Sequence, residues 1–263
     1  MMYEFMQNAL LAIVFAGIMA GFVGSFIVVK KLVFLSGGIA HASYGGIGLA
    51  LLLGLNPLYV ALPFSILSAI VIGFIRRETS DDTAIGIVWA LGMALGVLFI
   101  SFAPGYVPDI SSYLFGNILL IARADVFFTA ALTIATLTII TLFYEEFHLI
   151  SFDEEFAETI GVSHLFYYLL LALAAVCIVV LVRVAGIVLS IAMLTLPPAI
   201  VRERSRGLKS MIFFAVLASV VLSLAGLYIS YALDLPPGAT IVIVMSATYG
   251  VVQALKRIVW THE

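Results

Sequence analysis

Nine apolar stretches, each long enough or nearly long enough to cross a lipid bilayer, constrain this chain more than any other feature. They are Gln7–Val29, Leu32–Leu53, Leu58–Ile75, Ala84–Phe102, Asp125–Tyr144, His164–Val182, Val184–Ile200, Leu208–Ala232 and Gly238–Leu255. A membrane helix needs about 20 largely apolar residues, because its backbone polar groups must be satisfied within the segment. Only 10% of the residues are charged and 64% are hydrophobic, whereas soluble domains carry about 25% charged residues. So few charges could not cover a soluble fold of this length. The expectation is an all-α fold: a polytopic transmembrane bundle of about 8–9 helices, forming one domain over residues 1–263. The stretches flanking Arg183 allow two readings, two helices joined by a tight turn or one long tilted helix with a re-entrant piece. Ser111–Ile121 reads as a short helix outside or dipping into the bilayer. Acidic Glu4 and the lack of a basic leader make the first stretch a membrane helix, not a cleavable signal.

Charge sets an expected orientation. With the first loop in the cytoplasm, Lys30, Lys31, Arg76, Arg77, Arg202, Arg204, Arg206, Lys209, Lys256 and Arg257 all face inward, and only Arg123 and Arg183 face out. That asymmetry follows the positive-inside rule. It puts the N-terminus outside and the C-terminus in the cytoplasm of a plasma-membrane protein. A net charge of -3 gives no basis for a nucleic-acid partner. The one cysteine, Cys177, lies in an apolar run and can form neither an internal disulfide nor a thiolate cluster.

The longest polar inner segment, residues 145–163, holds six acidic residues and no Lys or Arg. Within it, 151–161 reads as a short helix. Ser151 is the expected N-cap, with Glu154 three residues on as in a capping box, and Gly161 the expected terminator. Phe152, Phe156 and Ile160 repeat on one face. Interfacial helices favour Lys and Arg, and anionic lipid repels this one, so a protein partner is the better reading. His148 and His164 flank the segment; with Glu145 and Glu146 they form at most a secondary candidate for metal, solvated loop residues being the default.

Small residues crowd several helices. Gly17 and Gly21, and Gly92 and Gly96, are four apart, and Gly37, Gly38, Gly45, Gly46 and Gly48 share the second stretch. Such spacing lets helices pack closely. In the same stretch, His41 sits near mid-membrane, where ionisable residues are rare and usually functional. Imidazole is a good transition-metal ligand, although one histidine is not a complete site. Ser43, Tyr44, Met193 and Thr195 are further candidates to line a path. Asp109, Asp125 and Asp234 lie near the outer face, where they could attract cations or meet a partner. Pro197-Pro198 is expected to end or kink its helix. Leu35-Ser36-Gly37-Gly38 imitates an ATPase signature but lies in an apolar helix. The chain has no G-x-x-x-x-G-K-[ST] loop, so any ATP-driven step requires a separate ATPase. H-E-x-x-H is absent as well, and no hydrolytic constellation is evident.

An ordered set of segments resembles the zinc/manganese/iron-type (ABC-3) permeases of metal ABC importers. Lys31–Leu35 followed by Ile39-Ala40-His41-Ala42 is similar to that family's basic-then-GDAxSHA element. Leu114–Leu119 is similar to LFGxIL, and Phe152–Val162 to the cytoplasmic coupling segment. Val182–Leu189 with Ala192–Ala199 is similar to VRxxGxLLxxAxLxxPA, and Gly226–Tyr231 with Pro236–Gly238 to the end of the pattern. The resemblance implies a type II importer-like permease without its own ATPase and with no permanently bound cofactor. It would carry a divalent metal ion, with zinc, manganese or iron as cargo. Implied partners are a second permease copy, cytoplasmic ABC ATPases, and an extracytoplasmic metal-binding protein. His41 would be a transient ligand or gate. Phe152, Asp153, Glu154, Glu155, Phe156, Glu158 and Gly161 would couple to the ATPase. One departure stands out: the family's Asp four residues before the histidine is Gly37 here, and the residue before it is Ala40. Rival readings are a permease for a metal chelate, such as a siderophore or cobalamin, and an ion-coupled secondary carrier. The scarcity of mid-helix carboxylates argues against the carrier.

Overall fold

The computed structural model describes residues 4–104, 116 and 118–260. The described residues form ten α-helices: α1 (Glu4–Val29), α2 (Val33–Leu53), α3 (Pro57–Ile75), α4 (Asp81–Phe102), α5 (Arg123–Leu142), α6 (Tyr144–Phe152), α7 (Glu154–Thr159), α8 (Leu165–Val201), α9 (Leu208–Leu233) and α10 (Pro237–Trp260). Short 3-10 turns at Ile118–Leu120 and Arg202–Arg204 complete the description. The expected 111–121 helix falls largely outside the described residues. Seven helices are long and apolar enough to cross a membrane: α1, α3, α4, α5, α8, α9 and α10. The remaining long helix, α2, is diluted by His41, Ser43, Tyr44 and its glycines, and it packs against α3, α4 and α8.

Local chemistry explains the helix ends. Asn56 accepts a hydrogen bond from Leu58 N at 3.0 Å, with Pro57 at the first helical position of α3. Ser80 caps α4 through Thr83 N at 3.2 Å, ahead of acidic Asp81 and Asp82. Gly54 closes α2 in the left-handed conformation. Buried hydroxyls inside helices bond back to their own turn, as Ser25 does to Gly21 O at 2.7 Å and Ser43 to Ala40 O at 2.6 Å.

Helix α8 corrects the sequence reading. It holds together through Arg183, and the break falls at Gly186 (φ 80, ψ 170). That backbone region is essentially closed to residues with a Cβ. Ion pairs show what the break does. Tyr167, near the start of α8, lies under Lys30 and Arg76. Arg183 pairs with Asp125, at the first turn of α5, at 2.9 Å. Just beyond the end of α8, Lys209 at the start of α9 pairs with Glu145 at 3.8 Å, in α6, the helix whose Ile150 carbonyl Lys30 bonds. The helix therefore runs from the end carrying Lys30 and Arg76 to the far end, then reverses. It comprises two antiparallel limbs, matching the tight-turn alternative with the turn shifted by three residues. Counting these limbs separately, the described residues give nine long segments.

Pro197 and Pro198 do not end the second limb, which continues to Val201. Pro198 has no N–H to offer the carbonyl of Leu194 four residues back. Gly24 of α1 packs directly on that Leu194 oxygen, where a Cβ would collide. Of the seven spans, α1 and α8 are the most enclosed, with 72% and 67% of their most apolar stretch buried. The outer helices expose Leu67, Phe74, Leu91, Phe102, Phe127 and Phe213, as side chains in contact with lipid would be.

Candidate functional site

Three regions gather the chemistry: a seam on α2, a vestibule at the far end, and an ionic cluster at the basic end.

On the seam, His41 stacks face to face on Trp89 of α4, with ring centroids 4.5 Å apart and planes 9° apart. Phe34, two turns before His41 on α2, packs against the same Trp89 at 5.6 Å between ring centroids. The His41 ring is half-buried, and its Nδ1 is enclosed without a hydrogen-bond partner among the described residues. A buried polar nitrogen left unpaired costs about 1–3 kcal/mol and calls for an explanation. The α2 glycines differ sharply. A Cβ at Gly46 would lie 2.7 Å from Ala61 Cα, and one at Gly45 2.8 Å from Gly92 O; Gly38 is pressed on Ile85. Gly37, one turn before His41, meets only Ile191 Cδ1 at 3.7 Å. It is therefore not a close-packing glycine: the position has room for a side chain beside His41. Ile191 belongs to the second limb of α8, where Val188, Ile191 and Thr195 are all incompletely covered by this chain.

The other candidate lining residues separate. Ser43 lies on the opposite face of α2 and lines a far-end vestibule of about 360 Å³ with Asn56, Gly116, Asp125 and Arg183. Tyr44 is buried against Gly96 of α4. Met193 is fully enclosed. Thr195 is half-buried and donates to Ile191 O at 2.8 Å. The structure thus places His41 with Trp89, and Ser43 with the vestibule; it does not bring all five together. Asp125, one of the three outer carboxylates, is already paired with Arg183. Asp234 caps the end of α9, and Asp109 lies outside the described residues.

At the basic end the acidic segment forms two helices, α6 and α7, rather than one. Asp153 breaks them with an extended backbone and caps α7 by accepting from Phe156 N at 2.9 Å. Ser151, the expected cap, instead donates back to Phe147 O at 2.6 Å. Gly161 (φ 89) does end the segment, with Val162 N bonded to Ala157 O at 2.9 Å. The apolar side chains Phe152, Phe156 and Ile160 are exposed at 61%, 52% and 53%. Glu154 points the other way. Its Oε2 accepts from Lys30 Nζ at 2.9 Å and Arg76 Nη2 at 2.9 Å. Burial by itself would raise this carboxyl, but the hydrogen bond and charge of Lys30, then of Arg76, hold it below its ordinary value. Lys30 is drawn below its ordinary value by burial, which outweighs its pairing with Glu154. Among the described residues, Glu154, Glu158 and His164 are the one group with ligand atoms mutually within 4.8 Å. Lys30 and Arg76 already engage Glu154, and His164 is 2.9 Å from Glu158. His148 sits between Tyr144 and Phe152 instead of joining them.

Stacked, lipid-faced helices with polar clusters at both ends and one imidazole between them define a polytopic membrane protein of the transporter kind. The chain belongs to the ABC 3 transport family, whose sequence model matches residues 2–256. It is 40% identical over 258 residues to an uncharacterized membrane protein of Synechocystis sp., covering 97% of this chain and 92% of the relative. It is 37% identical over 253 residues to the manganese transport system membrane protein MntC of Listeria monocytogenes, covering 95% and 90%. Among solved structures, PsaBC from Streptococcus pneumoniae in complex with Fab matches with a TM-score of 0.84 at 34% identity, covering 95% of this chain and 91% of that one.

Sequence reasoning missed Trp89, because a stacking partner on another helix leaves no periodic trace. It also missed the inward role of Glu154, whose partners lie 124 and 78 positions away.

Proposed function

We propose that this chain is the membrane-spanning permease subunit of an ATP-driven importer for divalent transition metal ions. Manganese is the leading cargo, given the names of its relatives, with zinc and iron as alternatives. The basic end faces the cytoplasm of the plasma membrane, which puts the N-terminus outside. ATPase subunits dock on Phe152, Asp153, Glu155, Phe156 and Glu158, and an extracytoplasmic metal-binding protein delivers the ion at the far end. ATP binding and hydrolysis in those subunits shift the permease between outward- and inward-open states.

His41 carries this reading. It is a half-buried imidazole in a membrane helix, stacked face to face on Trp89, with one nitrogen uncommitted. Its seam, with Phe34, Val188, Ile191 and Thr195, is incompletely covered by a single chain, as expected if a second permease copy completes the path. A transit site must release its ion, so few ligands suffice where a storage site needs four. The test is ATP-driven uptake of radiolabelled manganese in proteoliposomes holding the full transporter, with zinc, iron and a ferric chelate as competitors. His41→Ala should cut uptake at least tenfold while leaving assembly intact. Unchanged uptake would remove His41 from the path, and competition by the chelate alone would change the cargo.

A further inference from the structure

Five elements converge on Glu154, and the convergence reaches beyond docking. Lys30 lies in the short turn between α1 and α2, the helix that carries His41. Its Nζ bonds both Glu154 Oε2 at 2.9 Å and the carbonyl of Ile150 in α6 at 2.8 Å. Arg76, at the end of α3, bonds the same carboxylate oxygen and lies 3.5 Å from Asp81, the first residue of α4. The Tyr167 ring of α8 lies beneath both cations, 4.2 Å from Arg76 Cζ and 5.0 Å from Lys30 Nζ. These side chains are largely enclosed: Lys30 is 9% exposed, and Arg76 and Glu154 22% each. A carboxylate committed inward to two cations is poorly placed to contact another subunit. The exposed apolar side chains of Phe152 and Phe156 offer that contact instead.

We infer that Lys30, Glu154 and Arg76, braced on Tyr167, form an ionic joint that passes displacement of the acidic segment to the α1–α2 turn and the end of α3. Glu154 is then a positioning residue inside the permease, not an ATPase contact. The joint moves α2, and with it His41, when the segment is pushed. The inference rests on reading 145–163 as the coupling segment. It assigns different residues to transmission and to docking. Physical coupling needs such a contiguous set of contacts, and changes along one shift coupling by about 2- to 30-fold.

The experiment uses the full transporter, permease with ATPase, in proteoliposomes, measuring ATPase retention on purification, ATP hydrolysis, and ions imported per ATP. Glu154→Gln keeps the shape and removes the charge. It should retain the ATPase and its hydrolysis while ions per ATP fall severalfold. Glu154→Lys, which sets a third cation against Lys30 and Arg76, should fall further. Lys31→Gln, an exposed neighbour, should behave as wild type. Loss of the ATPase from Glu154→Gln, unchanged ions per ATP, or an equal loss in Lys31→Gln would each overturn the joint. Phe156→Ala tests the underlying reading separately. It should release the ATPase; if it does not, the docking assignment fails whatever Glu154 does.

Discussion

Alanine at Gly37 and at Gly46, on the same helix, should have opposite effects on stability. At Gly46 an added Cβ would lie 2.7 Å from Ala61 Cα and 2.8 Å from Phe64 Cβ. One of these is backbone, so α2 and α3 must separate. Overpacking of this kind costs about 1–3 kcal/mol. At Gly37 the nearest atom is the flexible tip of Ile191 at 3.7 Å, an ordinary contact. Replacing a mid-helix glycine there gains up to ~1 kcal/mol. The gain is smaller in a bilayer, where separated helices remain helical. The gap between the two variants should be roughly 2 kcal/mol, or about 4–8 °C in Tm for a protein of this size. Thermal unfolding in one detergent, followed by Cys177 labelling, measures it, since that thiol is fully enclosed when folded. Equal Tm values, or a lower Tm for Gly37→Ala, would refute the claim that these glycines do different jobs.

Gly37→Asp should place a carboxylate one turn from the His41 imidazole. It should slow release of a bound hard ion, read as tighter retention and lower turnover in uptake assays. Trp89→Ala should lower uptake severalfold in the wild-type background and have little further effect in His41→Ala, because Trp89 acts only by orienting that ring; additive losses in the double-mutant cycle would contradict this. Because Glu154 is held below its ordinary value, its stabilising contribution is full above about pH 4.3 and is lost as pH falls through its depressed value. Glu154→Gln should accordingly flatten that acid limb of the Tm–pH curve. Gly186→Ala should destabilise the fold by at least ~2 kcal/mol, seen as a lower Tm and poor expression, since φ 80 with ψ 170 admits glycine alone.

Most of the architecture was readable because membrane helices announce themselves in one dimension. The expected first stretch ends at Val29, the second at Leu53 and the fourth at Phe102, as observed. The resemblance to ABC-3 permeases likewise agrees with the family to which the chain belongs. What escaped detection depended on neighbours. The turn was expected at Arg183, where charge interrupts the apolar run, but an arginine can stay helical when it reaches an acid such as Asp125. The residue that breaks the helix is Gly186, visible as a glycine but not as a positive φ. Ser151 and Asp153 are both able caps, and only the extended backbone at Asp153 decides between them. Among the site residues, His41 stood out by being ionisable in an apolar helix. Ser43 carried no such mark in the sequence, and it faces the vestibule for reasons of packing alone.

The hairpin in α8 bears on how the protein is made. From Ile187 to Val201 there are too few residues to cross ~30 Å of hydrocarbon, since a helix of that length covers only about 22 Å. During biosynthesis this limb is a weak candidate for insertion on its own. It should enter the membrane together with the limb before it, as one folded-over unit, which in the proposed orientation leaves Arg202, Arg204 and Arg206 on the ribosome's side. A truncation ending near Val201 would then be expected to misinsert, whereas one ending after Lys209 would not.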